Sequence, residues 1–461
     1  MTISYPQLNH PLRVPLAAEI HSRPSLRLRA PEALTHLAVF AKSCARTDAG
    51  TGGDNQPAQR NILAAFCGHF GVAGPAAEAK YFFHDFGRFR LKWECHTEFA
   101  TYSFVDNGSE GAAVEVNCER AFASVPLRHI PQQWLLELQG KIMVAAHVVL
   151  QKGSCSQDAS IASLRRIFEG NVLVGSQVLQ RGEVWTDFLI QADGFSRFIV
   201  KDLDFLDQQA GRIVQRLLEI ETYRMMALLG LPHAQQAAPM LNAIEDELVS
   251  LTAAMTMAGN GAVEMDAAAD ADSEQILLRK IIDLAARVEK LSLESSYRFA
   301  ASKAYFRLVQ SRIDELRESR VEGVPTIEEF MDRRLAPAMN TCEAVVRRQE
   351  ALAARIAHTN DLLRTRVGIV QEQQNRKILQ SMNARAAQQL HLQQAVEGLS
   401  VAAISYYVAG LFQYAGKGMK AVGLPVNPDL VTGLLIPVIA LGVWLGLRNM
   451  HKRLLRQKVE K

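Results

Sequence analysis

LSVAAISYYVAGLFQYA (Leu399 to Ala415) and LVTGLLIPVIALGVWLGL (Leu430 to Leu447) are the two stretches whose reading decides how this chain is built. The second has no charged residue over 18 positions, and a helix of that length spans roughly 27 Å, close to the hydrocarbon thickness of a bilayer. The first has 17 uncharged positions but carries Ser400, Ser405, Tyr406, Tyr407, Gln413 and Tyr414. It is apolar enough to insert and too polar to face lipid on every side, so it requires partners. Together they predict a transmembrane hairpin with a short loop between its spans. Arg448, Lys452, Arg453, Arg456, Lys458 and Lys461 follow directly, and this basic tail places the C-terminus in the cytoplasm. Two spans then return the N-terminus to the same side.

Working outward, the 461 residues and 48% hydrophobic composition allow a sizeable soluble core besides the spans, and the net charge of +3 is close to balance. The first residues contain no basic segment leading into an apolar one, so no secretory signal is expected. Cys44, Cys67, Cys95, Cys118, Cys155 and Cys342 are scattered without a CxxC pair. That spacing suits free thiols in a reducing compartment rather than a disulfide framework or zinc site. The expected location is a bacterial inner membrane, with about 400 residues on the cytoplasmic side.

The first part of the chain, 1–203, is expected to be a mixed α/β domain on a mostly antiparallel sheet. From Arg88 to Glu98, charged or polar residues alternate with Phe89, Leu91, Trp93, Cys95 and Thr97. This period of two predicts a half-exposed strand with its charges in solvent. Further strands are expected at 113–117, 141–150, 171–178, 183–191 and 195–200, with helices at 32–42 and 161–168. Thr47 to Gln59 reads as a flexible loop.

Beyond Phe205 the period is helical. Segments 205–229 and 234–257 are divided by Gly230-Leu231-Pro232, and the acidic stretch 258–274 reads as a mobile linker. A long helix follows, with Ile281, Leu284, Val288, Leu291, Phe299, Phe306, Val309, Ile313 and Leu316 on one stripe, ending at Gly323 and Pro325. Thr326 and Glu329 form a capping box that starts the next helix. Between Arg364 and Gln394 there are eight glutamines and a thin apolar stripe of Val367, Val370, Leu379, Met382 and Leu390. Such a helix either packs on its own chain or bundles with copies of itself around a polar axis. The fold class is therefore α+β: an α/β domain, a long-helix stalk over 204–398, the hairpin over 399–447 and the tail.

Candidate chemistry is sparse. His96 and Glu98 share a strand face, and with His84 and Asp85 on a neighbouring segment they make the one conceivable metal or catalytic set. A solvated face with cross-strand charge pairs is the better reading, because Arg88, Arg90, Lys92 and Glu94 lie beside them. His10 and His21 sit in Pro- and Arg-rich surroundings that fix an irregular segment or serve as a docking loop. Gly68, Gly71 and Gly74 have neither Rossmann nor P-loop spacing, and there is no G-x-S-x-G or H-E-x-x-H. No catalysis, cofactor or nucleic-acid partner is expected. The basic tail is explained by anionic lipid head groups. Within the spans, Gly442-x-x-x-Gly446 offers a close packing face, while Ser405, Tyr407 and Gln413 suit a pore lining or bonds across a bundle.

NHPLRVPLAAEIHSRP (Asn9 to Pro24), WECHTEF (Trp93 to Phe99) and VEGLSVAAISYYVAGL (Val396 to Leu411) resemble an uncharacterised bacterial family of membrane-anchored proteins, domain of unknown function 3422. That resemblance implies location and architecture but no activity. The order of parts is also similar to CorA-type two-helix metal-ion transporters, which implies a homo-oligomer, a pentamer if the likeness holds. In that family the first span ends in a Gly-Met-Asn motif at the pore mouth. Here the position reads Gly418-Met419-Lys420, and five lysines at an entrance would repel a divalent cation and offer it no carbonyl oxygen. The expectation is thus an oligomeric membrane scaffold or sensor, with ion conduction along the first span as the alternative.

Overall fold

The computed structural model describes residues 8–14, 16–17, 24–40, 56–107, 122–153, 157–168, 172–206, 208–260, 267–421 and 428–459. The expected strand at 113–117 and His21 lie outside them. The chain forms two compact units, residues 1–261 with 279–360 and residues 262–278 with 361–461.

In the first unit nine strands among the described residues make one mixed sheet. They are β1 (Glu32–Phe40), β2 (Tyr81–Asp85), β3 (Phe89–Cys95), β4 (Phe99–Asp106), β5 (Ile142–Lys152), β6 (Val174–Val178), β7 (Gly182–Thr186), β8 (Ser196–Asp202) and β9 (Glu318–Arg320), in the order β2-β3-β4-β1-β5-β8-β7-β6-β9. Every neighbouring pair is antiparallel except β5 with β8. The parallel pair is bridged by a crossover that carries a helix and the β6–β7 hairpin, as a parallel connection requires.

One face is packed by α1 (Gln56–His69) and α2 (Gln132–Glu137), whose Leu63, Phe66, Cys67 and Trp134 meet Leu37, Leu91, Trp93, Tyr102 and Phe104. Further along, α3 (Gln157–Ile167) contributes Leu164 to a second cluster with Trp185 and Ile199. The opposite face is covered by α4 (Gln209–Leu228). Gly230 then opens α5 (Gly230–Asn260), as the Gly-Leu-Pro break indicates. The long helix α6 (Ala267–Leu316), the short α7 (Ile327–Arg334) and α8 (Ala336–Ala421) follow, and α9 (Pro428–Val459) ends the described chain. The capping box is present as expected: the Glu329 N–H donates to Thr326 Oγ1 at 3.2 Å and the Thr326 N–H to the Glu329 carboxylate at 3.3 Å.

Several local expectations are corrected. Residues 32–40 are a strand, not a helix, and β1 lies in the interior of the sheet between β4 and β5, buried over Leu34–Val39 without alternation. A strand covered on both faces has no polar side to reveal its period. Gln56–Gln59, expected within a loop, open α1. The expected strand 183–191 stops at Thr186, where Asp187 turns the chain by accepting the Leu189 N–H. The acidic stretch is helical to Asn260 and again from Ala267, and in the second unit Glu274 is buried and paired with Arg366 at 2.7 Å. α6 ends at Leu316, before Gly323, because Arg317 adopts a left-handed φ of 47° and the chain turns into the edge strand β9.

Of the expected hairpin, the coarser part is observed. One helical run, Ile327–Gly418, is long and apolar enough by length and composition to cross a membrane, and the apolar helical stretch Gly433–Gly446 is shorter.

Gly211 sets the approach of α4. A Cβ there would collide with the Leu26 carbonyl oxygen, so only glycine lets the helix lie against the Leu26 strand of chain. Helix propensity alone would favour Gly211→Ala by about 1 kcal/mol. We expect the substitution instead to destabilise the protein by about 1–3 kcal/mol. A thermal-unfolding midpoint that rises in Gly211→Ala would contradict this close approach.

Candidate functional site

The alternation in β3 assigns its side chains to two different environments. Phe89, Leu91, Trp93 and Cys95 enter the aromatic core beneath α1. Lys92 and Glu94 point to the other face, which is not solvated as expected: α4 covers it, and Lys92 is only 3% exposed. The cross-strand register sets Lys92 opposite Ser103 and His36 opposite Ser103 from the other side, so one row of polar residues crosses the sheet here. Between this row and α4 lies a cleft of about 280 Å³.

The polar groups of the cleft are joined into a chain. The Lys92 ammonium lies 3.2 Å from Glu94 Oε1 and 3.4 Å from Gln215 Oε1. Gln215 Nε2 donates to Glu219 at 2.8 Å, and Glu219 is paired with Arg312 from α6. Arg312 and Arg216 both donate to Glu315 at 2.5 Å. His36 is enclosed: its Nδ1 is 2.9 Å from Ser103 Oγ and its Nε2 is 3.2 Å from Thr222 Oγ1 on α4. Burial, followed by the charge of Lys92, pushes the His36 pKa down to about 3, so the ring is neutral. Its neighbour in the strand order, His147, lies on the other face, where it stacks on Phe195 and bonds Thr35 Oγ1 at 3.0 Å.

The expected His/carboxylate set is divided. β2 pairs Tyr81 with Glu94 and Asp85 with Arg90, so His84 and Asp85 lie at the far end of the β2–β3 ladder from His96. His84 packs against Phe86, and Asp85 accepts bonds from the Gly87 N–H and Asn107. β3 ends at Cys95, and residues 96–98 form the turn into β4, with the His96 N–H donating to the Phe99 carbonyl at 2.8 Å. His96 stacks on Phe99 at the rim of the cleft. Glu98 instead reaches α6, where it accepts from Arg298 at 2.8 and 2.9 Å and from the Tyr305 hydroxyl at 2.9 Å. Burial and then the Glu98 charge raise the Tyr305 pKa, keeping its phenol protonated as that donor. Among the described residues no group of three or more His, Cys, Asp or Glu is gathered to hold a metal. His10 is exposed and accepts the Leu12 N–H.

On α8, Ser405 and Gln413 are half-buried and eight residues apart, hence on one side, whereas Tyr407 is 71% exposed. Gly418, Gly442 and Gly446 each face open space. Met419 and Lys420 fall within the last turns of α8.

The residues that sequence reasoning missed are those of the cleft. The alternation of β3 was the available signal for Lys92 and Glu94. Nothing in the pattern of α4 distinguishes Gln215, Glu219 and Thr222 from an ordinary solvated helix side.

A mixed sheet carrying this covered polar cleft, followed by long helices, defines an α/β protein with a helical C-terminal part. The chain belongs to the family described as a protein of unknown function (DUF3422), matched over residues 8–454. No curated protein and no solved structure matches it, so the likeness to CorA-type transporters gains nothing from these comparisons.

His36 makes the domain sensitive to acid. Its native pKa lies below the ordinary 6.5, so the unfolded chain binds more protons in the interval between the two values. The stability that the neutral ring contributes is fully present above that ordinary value and is lost as the pH falls through the interval. We expect the unfolding midpoint to drop between about pH 7 and pH 5, and His36→Gln to flatten that slope. Parallel slopes for the two proteins would exclude His36 as the cause.

Proposed function

We propose that the protein is a homo-oligomeric scaffold or sensor of the bacterial inner membrane, with both termini and the cleft-bearing domain in the cytoplasm and no catalytic step of its own. One observation carries the reading: the apolar window in the helical run Ile327–Gly418 has a mean hydropathy of 1.5 and none of it is buried. Leu399, Leu411, Leu434 and Val438 are each more than 60% exposed. Each large aliphatic side chain left in water forgoes about 1.5–3 kcal/mol, so these helices need a bilayer around them. The apolar stretch Gly433–Gly446 supplies the second arm of the hairpin, and the lysines and arginines after Leu447 meet anionic lipid head groups. Ser405 and Gln413, on one side of the first arm, face partner helices, and the open Gly442 and Gly446 let a second helix approach closely.

The stalk supports self-association. From Asn375 to Val396 every residue of α8 is exposed, including Leu379, Met382, Leu390 and Leu392. Copies of the same helix cover that thin stripe with a polar, glutamine-lined axis. We expect the full chain to remain with membranes after alkaline washing and, once solubilised in detergent, to have a protein mass several times 51.0 kDa. A monomeric mass would sink the bundle, and release by alkali would sink the anchor.

Ion conduction ranks second, favoured by the half-buried Ser405 and Gln413 along one side of the apolar segment. It requires the oligomer to carry a flux of divalent or monovalent cations, or of anions, in proteoliposomes. Absence of flux for all three classes from folded, reconstituted protein leaves the scaffold reading alone.

A further inference from the structure

The cleft beneath α4 has the features of a built ligand site. Its size of about 280 Å³ suits a metabolite of amino-acid dimensions. Its lining cations are each paired: Lys92 with Glu94 and Arg312 with Glu219 inside the cleft, while Arg216 and Arg312 are also held by Glu315, which lies outside the lining. A ligand with a net charge would leave that charge uncompensated in a poorly solvated place, at a cost of several kcal/mol. A wholly apolar ligand would strip water from Lys92 and Glu94 without replacing its hydrogen bonds.

Lys92 gives the sharper indication. A buried ammonium has three N–H donors, and among the described residues two acceptors lie beside it, Glu94 Oε1 at 3.2 Å and Gln215 Oε1 at 3.4 Å, both beyond the usual 2.9–3.0 Å. A carboxylate in the cleft would complete that set. Glu94, two residues along the same face of β3, has lone pairs to accept an ammonium beside it. In the other direction along the sheet the walls become aliphatic, with Leu26, Leu28 and Leu34 opposite Val214 and Leu218.

We propose that this cleft binds a small zwitterion with an aliphatic side chain, an α-amino acid in class, its carboxylate on Lys92, its ammonium on Glu94 and its side chain against Leu26, Leu34 and Leu218. The proposal deepens the sensor reading by naming the ligand class, and rests on that reading for its biological use. The site lies within the first unit, and α4, which closes it, is tied to α6 through Glu219 and Arg312.

The test uses the detergent-solubilised full chain and three probes that share one isobutyl group. These are L-leucine, 4-methylpentanoate, which lacks the amine, and 3-methylbutylamine, which lacks the carboxylate. Titration calorimetry is expected to show L-leucine binding at least about tenfold more tightly than either single-charge probe, and the double variant Lys92→Met/Glu94→Gln is expected to lose that preference. Absence of saturable L-leucine binding up to about 10 mM, a single-charge probe binding equally well, or an unchanged double variant would each overturn the proposal. The three-probe comparison needs no substitution, so it decides the matter even where the double variant does not fold. Membrane-bound oligomer that ignores L-leucine removes this inference alone. Protein that binds L-leucine but is soluble and monomeric removes the membrane reading alone.

Discussion

The charged face of β3 lies under a helix, and that placement constrains the rest of the first unit. Burying an ammonium and a carboxylate costs several kcal/mol per ion unless each finds a partner nearby. Lys92 and Glu94 partly satisfy one another, but the pair also needs polar cover from above. α4 supplies it with Gln215, Glu219 and Thr222 on the side that faces the sheet. The helix can take that position because Gly211 admits the backbone at Leu26. Glu219 then requires its own counter-charge, which comes from Arg312 on α6, and Arg312 with Arg216 is held by Glu315. The demand created at one strand thus propagates outward by pairing until it reaches partly exposed groups. A purely apolar contact between α4 and the sheet would pack without fixing the identity of any of these residues.

A second tie works on the same principle at the end of the ladder. Glu98 leaves the turn between β3 and β4 and meets Arg298 and Tyr305 on α6, where Tyr305 also stacks on Tyr223 of α4. The stretch Trp93 to Phe99 therefore serves three environments in seven residues: Trp93 the aromatic core, Glu94 and His96 the cleft, and Glu98 the long helix. Its value to the fold lies in this division.

Legibility in the sequence followed the exposure of each element. Thr326 and Glu329 announced a helix start because capping is local chemistry, complete within four residues. β3 was readable because its two faces meet different surroundings, even though Lys92 on the polar face is buried. β1 was misread as a helix because Leu34 to Val39 are enclosed on both sides, and its polar residues, Thr35 and His36, are adjacent and on opposite faces, so the run shows no period of two. β9 was invisible: Glu318-Ser319-Arg320 has no strand propensity to speak of and is recruited by pairing with Ser176–Val178. The cleft was half legible. Lys92, Glu94 and His96 stood out as charges on one face, but whether that face met water or a helix depended on a partner more than a hundred residues later in the chain.

The second unit poses the opposite problem, since many of its large apolar side chains are exposed. An isolated helix of this length is held by propensity and by i to i+4 pairs such as Arg376 with Glu372, contributions of a few tenths of a kcal/mol each. Those suffice to keep the chain helical, because Ala, Gln, Arg and Leu are all good helix formers. They do not account for exposed Leu379, Met382, Leu390 and Leu392, nor for the fully exposed apolar window that follows. On the proposed membrane reading the polar part and the apolar part of α8 meet different solvents, and one uninterrupted helix carries both. Glutamine is the residue that reconciles them. It is uncharged, so it can lie beside a membrane surface or inside a bundle without a counter-ion, and it carries both donors and an acceptor with which copies of the same helix can bond one another. Lysine or glutamate in those eight positions would keep the helix soluble and alone.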